Sequence, residues 1–160
     1  MRNTVRDWTQ EGRLYVWRYA NARRGWDGWQ LAADPAGCRS FSNLLDRMDG
    51  GPPCHRTLML ENVTDAVLRV PNYGQNRPAE QFQKLRVEYQ PSSEDLNFMR
   101  DAALLVLTVG DRRLRKLAAA LAEVENGGGD FGVDTSDDKR AKSWMFWWMP
   151  DVNYYWRRKS

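Results

Sequence analysis

The residue types that most often carry covalent chemistry are scarce in this chain of 160 residues, which has one histidine and two cysteines. A nucleophilic thiol needs a base within hydrogen-bond reach, but the adjacent Cys54 and His55 would point to opposite faces of an extended strand. Only the fold could bring Cys38 close to His55. We therefore interpret both thiols as structural groups and predict no catalytic residue. A small enzyme using Cys54, His55, or a carboxylate pair such as Glu61 and Glu88 is the third-ranked alternative.

Metal and cofactor motifs are also missing from the sequence. The histidine and cysteines do not have the spacing of a zinc site. The acidic stretch Asp130, Asp134, Asp137 and Asp138 lacks the regular spacing and bidentate glutamate of a calcium loop. The glycines at 127–129 follow a predicted helix, whereas a phosphate-binding loop precedes one. We expect neither a metal ion nor a cofactor.

A basic cluster lies near the start of a predicted helix and comprises Arg112, Arg113, Arg115 and Lys116. Cations at this end of a helix form a candidate anion-binding site. The commoner interpretation is a solvated helix face opposite the apolar stripe, and the sequence leaves both open.

Aromatic residues are the unusual feature, since the chain has eight tryptophans. On a strand, Trp144, Phe146 and Trp148 share one face, while Met145, Trp147 and Met149 share the other. The first strand is similar, with one face formed by Leu14 and Val16 and the other by aromatic side chains. If one face is open, the candidate interaction surface comprises Tyr15, Trp17, Tyr19, Trp144, Trp147 and Trp148. Alternatively, long loops and a short helix cover that face.

Periodicity and turn residues predict the elements that must position these side chains. The predicted helices are a short one at 40–48 and a main one at 111–125, with Asp111 as N-cap and Gly127–Gly129 ending it. Pro35 should end the second strand, and 72–78 should form a loop. The predicted strands are 13–19, 26–33, 56–63, 65–70, 84–89, 103–109 and 144–149. Residues 84–89 should have one face in water, and 103–109 should be buried on both faces. We predict an α+β fold: one antiparallel, curved sheet of six to eight strands with the main helix packed on one face.

Composition then limits the function classes. The formal net charge is +3, and no apolar stretch approaches the roughly 20 residues of a membrane span. We expect one soluble cytoplasmic domain over 1–160, with 151–160 as an aromatic, basic tail. The excess of arginine over lysine hints at a bacterial source. The favoured function is a non-catalytic protein-interaction or self-associating domain that binds another protein or forms a homodimer through its aromatic surface. A nucleic-acid-binding accessory protein using arginine and tryptophan is the alternative.

Overall fold

The computed structural model of the chain describes residues 4–19, 27–70 and 79–154. The helices and strands in these ranges are β1 Leu14–Tyr19, β2 Trp29–Ala33, α1 Pro35–Met48, β3 Cys54–Met59, β4 Ala79–Gln81, β5 Lys84–Tyr89, β6 Asn97–Asp101, β7 Leu104–Val109, α2 Asp111–Glu125, β8 Phe131–Val133 and β9 Trp144–Trp147. A π-helical turn at Pro150–Tyr154 follows β9.

The strands form two mixed sheets, which corrects the prediction of one antiparallel sheet. Sheet A has the order β4-β1-β2-β9-β8, and sheet B has the order β3-β5-β7-β6. Two neighbouring pairs are parallel, β2 with β9 and β5 with β7. The prediction assumed that strands close in sequence pair with each other. Instead β9 enters sheet A between β2 and β8, and β6 takes the outer position beside β7.

Helix α1 begins earlier than the predicted helix over 40–48. The Asp34 carboxylate accepts a hydrogen bond of 2.7 Å from the Gly37 amide and so caps the helix. Pro35 occupies the first turn, where its missing amide proton costs nothing. Pro35 therefore ends β2 as predicted and at the same time begins α1.

Helix α2 has the predicted bounds, Asp111–Glu125. Its N-cap is Gly110 rather than Asp111. A side chain does not fit at residue 110, since a Cβ there would lie only 2.0 Å from the Ser93 carbonyl oxygen. Asp111 instead accepts a hydrogen bond from the Tyr89 hydroxyl. At the other end, Gly127 has a φ of +102° and allows the chain to leave the helix. The two helices pack on each other and share one core with the inner faces of both sheets.

Two of the predicted strands differ in the structure. The strand predicted at 56–63 is β3, which starts at Cys54 and ends at Met59. Residues 65–70 form no strand, because Thr64 binds the amides of Val67 and Leu68 and bends the chain into a turn. The predicted loop at 72–78 lies outside the described residues. The short strands β4, β6 and β8 had no predicted counterpart.

Sheet B is buried on one face. On β5 the inner residues Leu85, Val87 and Tyr89 are fully buried, which confirms the prediction of one face in water. Strand β7 was predicted to be buried on both faces, yet Leu104 and Thr108 are only half-buried. The reason is that both helices pack on the inner side of the sheet.

Strand β9 is central to sheet A, so we predict that a chain ending at Ser143 does not fold. The truncation removes Trp144 and Phe146, both fully buried, and leaves β2 and β8 without their common neighbour. Loss of two large aromatic side chains from a core costs several kcal/mol, comparable to the whole stability of a domain. Urea titration followed by circular dichroism measures whether the truncated chain has a cooperative unfolding transition.

A chain ending at Tyr155 is the control, since it keeps every described residue, and it should unfold cooperatively like the full-length protein. Cooperative unfolding of the chain ending at Ser143 would contradict the prediction.

Candidate functional site

The aromatic row of β1, predicted as a candidate surface, is buried. Tyr15, Trp17 and Tyr19 are 7%, 0% and 2% exposed. A second apolar cluster covers them, with Val67 from one loop and Val152 from the turn after β9. The Tyr19 hydroxyl donates to the Val70 carbonyl oxygen, which fixes this cover. Of the two alternatives left open by the sequence, the structure shows the covered face, and the cover comes from the loop and the turn after β9 rather than from α1.

The C-terminal aromatic residues are divided between the two faces of sheet A, as the alternation predicted. Trp144 is fully buried in the core shared with the helices, whereas Trp147 lies in the second cluster and is 7% exposed. The Trp147 indole donates a 2.7 Å hydrogen bond to the Gln30 side chain. Trp148 is half-buried. These residues thus belong mainly to the interior, and five of the six residues in the predicted surface are buried.

The groups considered for catalysis do not come together. Cys54 lies opposite Tyr89 on the inner face of sheet B, whereas His55 lies opposite Glu88 on the outer face. Burial raises the pKa of the Cys54 thiol. Glu61 follows the end of β3 that lies farthest from His55 and forms an ion pair with Arg13. Glu61 and Glu88 are therefore separated by about the length of the strand, roughly 20 Å.

Cys38 is fully buried on α1, where its thiol lies 3.7 Å from the Ala33 carbonyl oxygen. Burial, together with the negative charges of Asp34 and Glu125, raises the pKa of its thiol to about 12. The thiol is therefore protonated at neutral pH and is a poor nucleophile.

The predicted anion-binding cluster is dispersed. Arg112 and Arg113 both bind the Asp137 carboxylate, and Arg115 binds Asp49 at 3.1 Å. Arg113 is 5% exposed and also donates to two carbonyl oxygens. Of the four residues, only Lys116 is exposed without an ion pair in the described part of the chain. The three arginines already bind two carboxylates, which gives little support to an anion site or a nucleic-acid surface.

No group of three or more histidine, cysteine, aspartate or glutamate side chains within the described residues could hold a metal ion. In the acidic stretch, Asp137 binds arginines, while the Asp130 carboxylate accepts a 3.4 Å hydrogen bond from the Trp148 amide. Across the described ranges, no helix is long and apolar enough to cross a bilayer.

An open groove of about 530 Å³ lies between α2 and β8, and we regard it as the candidate functional site. This volume is in the range of known ligand sites. Its apolar lining comes from the helix on one side and the strand on the other: Ala119, Ala120, Ala122, Phe131, Gly132 and Val133. The longer side chains of Lys116, Glu123 and Asn126 also line the helix wall.

Strand β8 is an edge of sheet A and pairs only with β9. Phe131 and Val133 point inward, where Phe131 contacts Phe146 with ring centroids 5.8 Å apart. Gly132 is exposed in the middle of the strand. Within the described part of the chain, the backbone of Phe131–Val133 forms hydrogen bonds only to β9. The outer row of amide and carbonyl groups is therefore available to a ligand.

Both ends of the groove are held in place by hydrogen bonds. At one end the Arg113 guanidinium donates to the carbonyl oxygens of Glu94 and Asp134, at 2.8 and 3.3 Å, and so ties the residue after β8 to α2. At the other end the Gly128 amide donates to the Glu123 carbonyl oxygen at 2.8 Å, which closes the turn between α2 and β8. The groove is thus a fixed feature of the fold.

The exposed charges of the groove differ between its two ends: Lys116 and Asp134 lie at one end, and Glu123 lies at the other. Lys116 lies toward the start of α2 and Glu123 toward its end, both lining the groove. Seven residues, or two helical turns, separate them, which corresponds to about 10 Å along the axis. Neither side chain forms an ion pair with another described residue. The groove therefore presents a positive and a negative group at a fixed spacing.

Sequence reasoning missed this site because β8 has only three residues, too few for a period to be visible. The sequence did contain one signal for β8. The glycines at 127–129 end α2, so the chain that follows them can turn back alongside the helix.

Comparison of the chain with protein-family models, with curated proteins and with solved structures finds no match in any of the three.

The raised pKa of Cys38 predicts a pH dependence of stability. The pKa in the folded protein, about 12, lies above the ordinary value of 9.0, so folding favours the protonated thiol. This contribution is complete below pH 9 and is lost as the pH rises toward 12, with a slope that approaches about 1.4 kcal/mol per pH unit. The free energy of unfolding, from urea titrations between pH 8 and 11, should fall more steeply in the wild type than in Cys38→Ala.

The pKa values of Tyr15 and Tyr89 are also raised, chiefly by burial. Both tyrosines are present in the wild type and in Cys38→Ala, so they contribute equally to the pH dependence of the free energy of unfolding in the two proteins. The difference between the two slopes therefore isolates Cys38. Parallel slopes would show that this thiol does not titrate with folding.

Proposed function

We propose that this chain is a non-catalytic protein-interaction domain that binds an extended segment of another protein in the groove between α2 and β8. The observation that carries the proposal is the free edge of β8 beside an open groove. An extended segment placed there adds a strand to sheet A, and α2 forms the opposite wall. Main-chain hydrogen bonds provide affinity in this mode, and pockets for alternate side chains provide specificity.

The dimensions of the groove support a peptide as the ligand. From Arg113 to Asn126 the helix wall is about 20 Å long, which corresponds to about six residues of extended chain. The groove is open along this length and does not enclose its ligand. A free strand edge is satisfied best by another backbone, because only a backbone repeats donors and acceptors at the same spacing.

The charges of the groove specify the partner segment further. The partner should carry an acidic residue beside Lys116 and a basic residue beside Glu123, about three positions apart in an extended chain. Between them, a small apolar side chain fits against Ala119 and Ala122. The two exposed carboxylates that line the groove, Glu123 and Asp134, would repel a polyanion and so disfavour it as the ligand.

Selection from a phage library of random peptides about ten residues long tests this function. Peptides enriched on the wild-type protein should share an acidic and a basic residue about three positions apart. The Ala119→Arg substitution fills the groove from an exposed helix position, so it should weaken binding of these peptides at least about tenfold while leaving stability nearly unchanged. Ala141→Arg makes the same change at an exposed loop position and serves as the matched control.

Two further measurements locate the binding site. Exchanging the charges, with Lys116→Glu and Glu123→Lys together, should reverse the order of the acidic and basic residues in the enriched peptides. Amide NMR shifts on peptide addition should be largest at Phe131–Val133. Peptides that bind Ala119→Arg as tightly as the wild type, or a library that yields no enriched peptide, would contradict the proposed function.

A further inference from the structure

The outer face of sheet B is a second open surface, separate from the groove. Residues Met59 on β3 and Met99 on β6 are 56% and 61% exposed, and they are the two exposed large hydrophobic residues within the described part of the chain. Both belong to this face, at its two edges. Methionine is enriched at protein interfaces and adapts its shape to a partner.

The middle of this face is also apolar. Val106 on β7 lies beside Met99 and is 8% exposed, and the half-buried Leu104 is two residues away on the same side of the strand. Neither residue belongs to the two apolar clusters that form the interior. Met99, Val106 and Leu104 therefore form one apolar patch over β6 and β7, and the charged outward residues of β5 separate this patch from Met59.

Strand β5 carries these charges in a line beside the patch. Lys84, Arg86 and Glu88 point outward in that order, and the Arg86 guanidinium lies 2.9 Å from the Glu88 carboxylate. The line is positive at one end and negative at the other. A surface with this pattern is complementary to itself after a rotation that reverses the direction of β5.

We infer that two copies of this chain associate face to face through sheet B, around a two-fold axis that is perpendicular to the strands and passes over Arg86. This axis places β5 of one copy on β5 of the other in the opposite direction. Glu88 of each copy then faces Lys84 of the second copy, which gives two equivalent ion pairs, as an isologous interface requires. The same rotation places Val106 and Met99 on their own counterparts.

Charge selects this axis over the other simple arrangement. A two-fold axis parallel to the strands would place β5 on β7 of the second copy. Lys84 would then face Leu104, and Arg86 would face Val106. Lys84 would thus be desolvated against an apolar side chain without a partner, which is costly, whereas the inferred arrangement supplies Glu88 of the second copy. In the inferred arrangement, Arg86 meets its counterpart, but each guanidinium keeps its own Glu88.

The size of the face indicates a weak dimer. Four strands about 4.8 Å apart and outward residues over about 20 Å give a face of roughly 400 Å² per copy. A stable complex buries about 800 Å² per partner. We therefore expect a dimer that is populated at about 0.1–1 mM and dissociates on dilution.

Sedimentation equilibrium over about 0.01–1 mM tests the inference. The wild type should shift from monomer to dimer, and Lys84→Glu and Glu88→Lys should each raise the dissociation constant about tenfold or more, because each places like charges opposite one another twice. The double variant restores both pairs and keeps an acidic residue two positions from Arg86. It should recover the wild-type constant to within about threefold.

Lys139→Glu changes the same charge in an exposed loop and should dimerise like the wild type. A wild type that remains monomeric at about 1 mM, single variants that dimerise normally, or a double variant that does not recover would each overturn the inference. None of these variants lies in the groove, so peptide binding should persist in all of them. Loss of dimerisation through sheet B can therefore be distinguished from loss of peptide binding in the groove.

Discussion

The parallel pairing of β9 with β2 places Trp144–Trp147 in the middle of sheet A, and large side chains leave both faces of this strand. Both faces must then be covered, because an exposed aromatic patch of this size would promote association. The α1–α2 pair covers one face. The loop containing Val67 and the turn after β9 cover the other.

Because both faces of β9 must be covered, few elements remain to cover the other surfaces of the molecule. Both helices pack in the core shared by the sheets, so neither is left for the outer face of sheet B. That face keeps a mixed composition, with Met59 and Met99 exposed and charges on β5. Beside β8, the alanines of α2 approach the sheet without covering the strand edge. The two open features of the molecule thus follow from how its aromatic strands are buried.

Elements with a clear period could be predicted from the sequence. The bounds of α2, the open face of β5 and the division of Trp144 and Trp147 between two faces all follow from local spacing. The parallel β2–β9 pair could not be predicted, since no local pattern specifies a distant neighbour. Residues 65–70 looked like a strand by composition, but Thr64 binds the following amides. For the candidate site, Lys116 was identified as a candidate anion ligand, whereas β8, which forms the other wall, was too short to detect.

The pairing of β9 with β2 also bears on how the chain folds. The hydrogen bond between Trp147 and Gln30 joins residues 117 positions apart, and the bond from Asn153 to the Ala33 carbonyl spans 120. The strands of sheet B, by contrast, all come from Cys54–Val109. Closing a long loop costs more entropy than closing a short one, and non-local pairing slows folding. Sheet B can therefore assemble while the chain is still being synthesised, whereas sheet A is completed only after its last strand has been made.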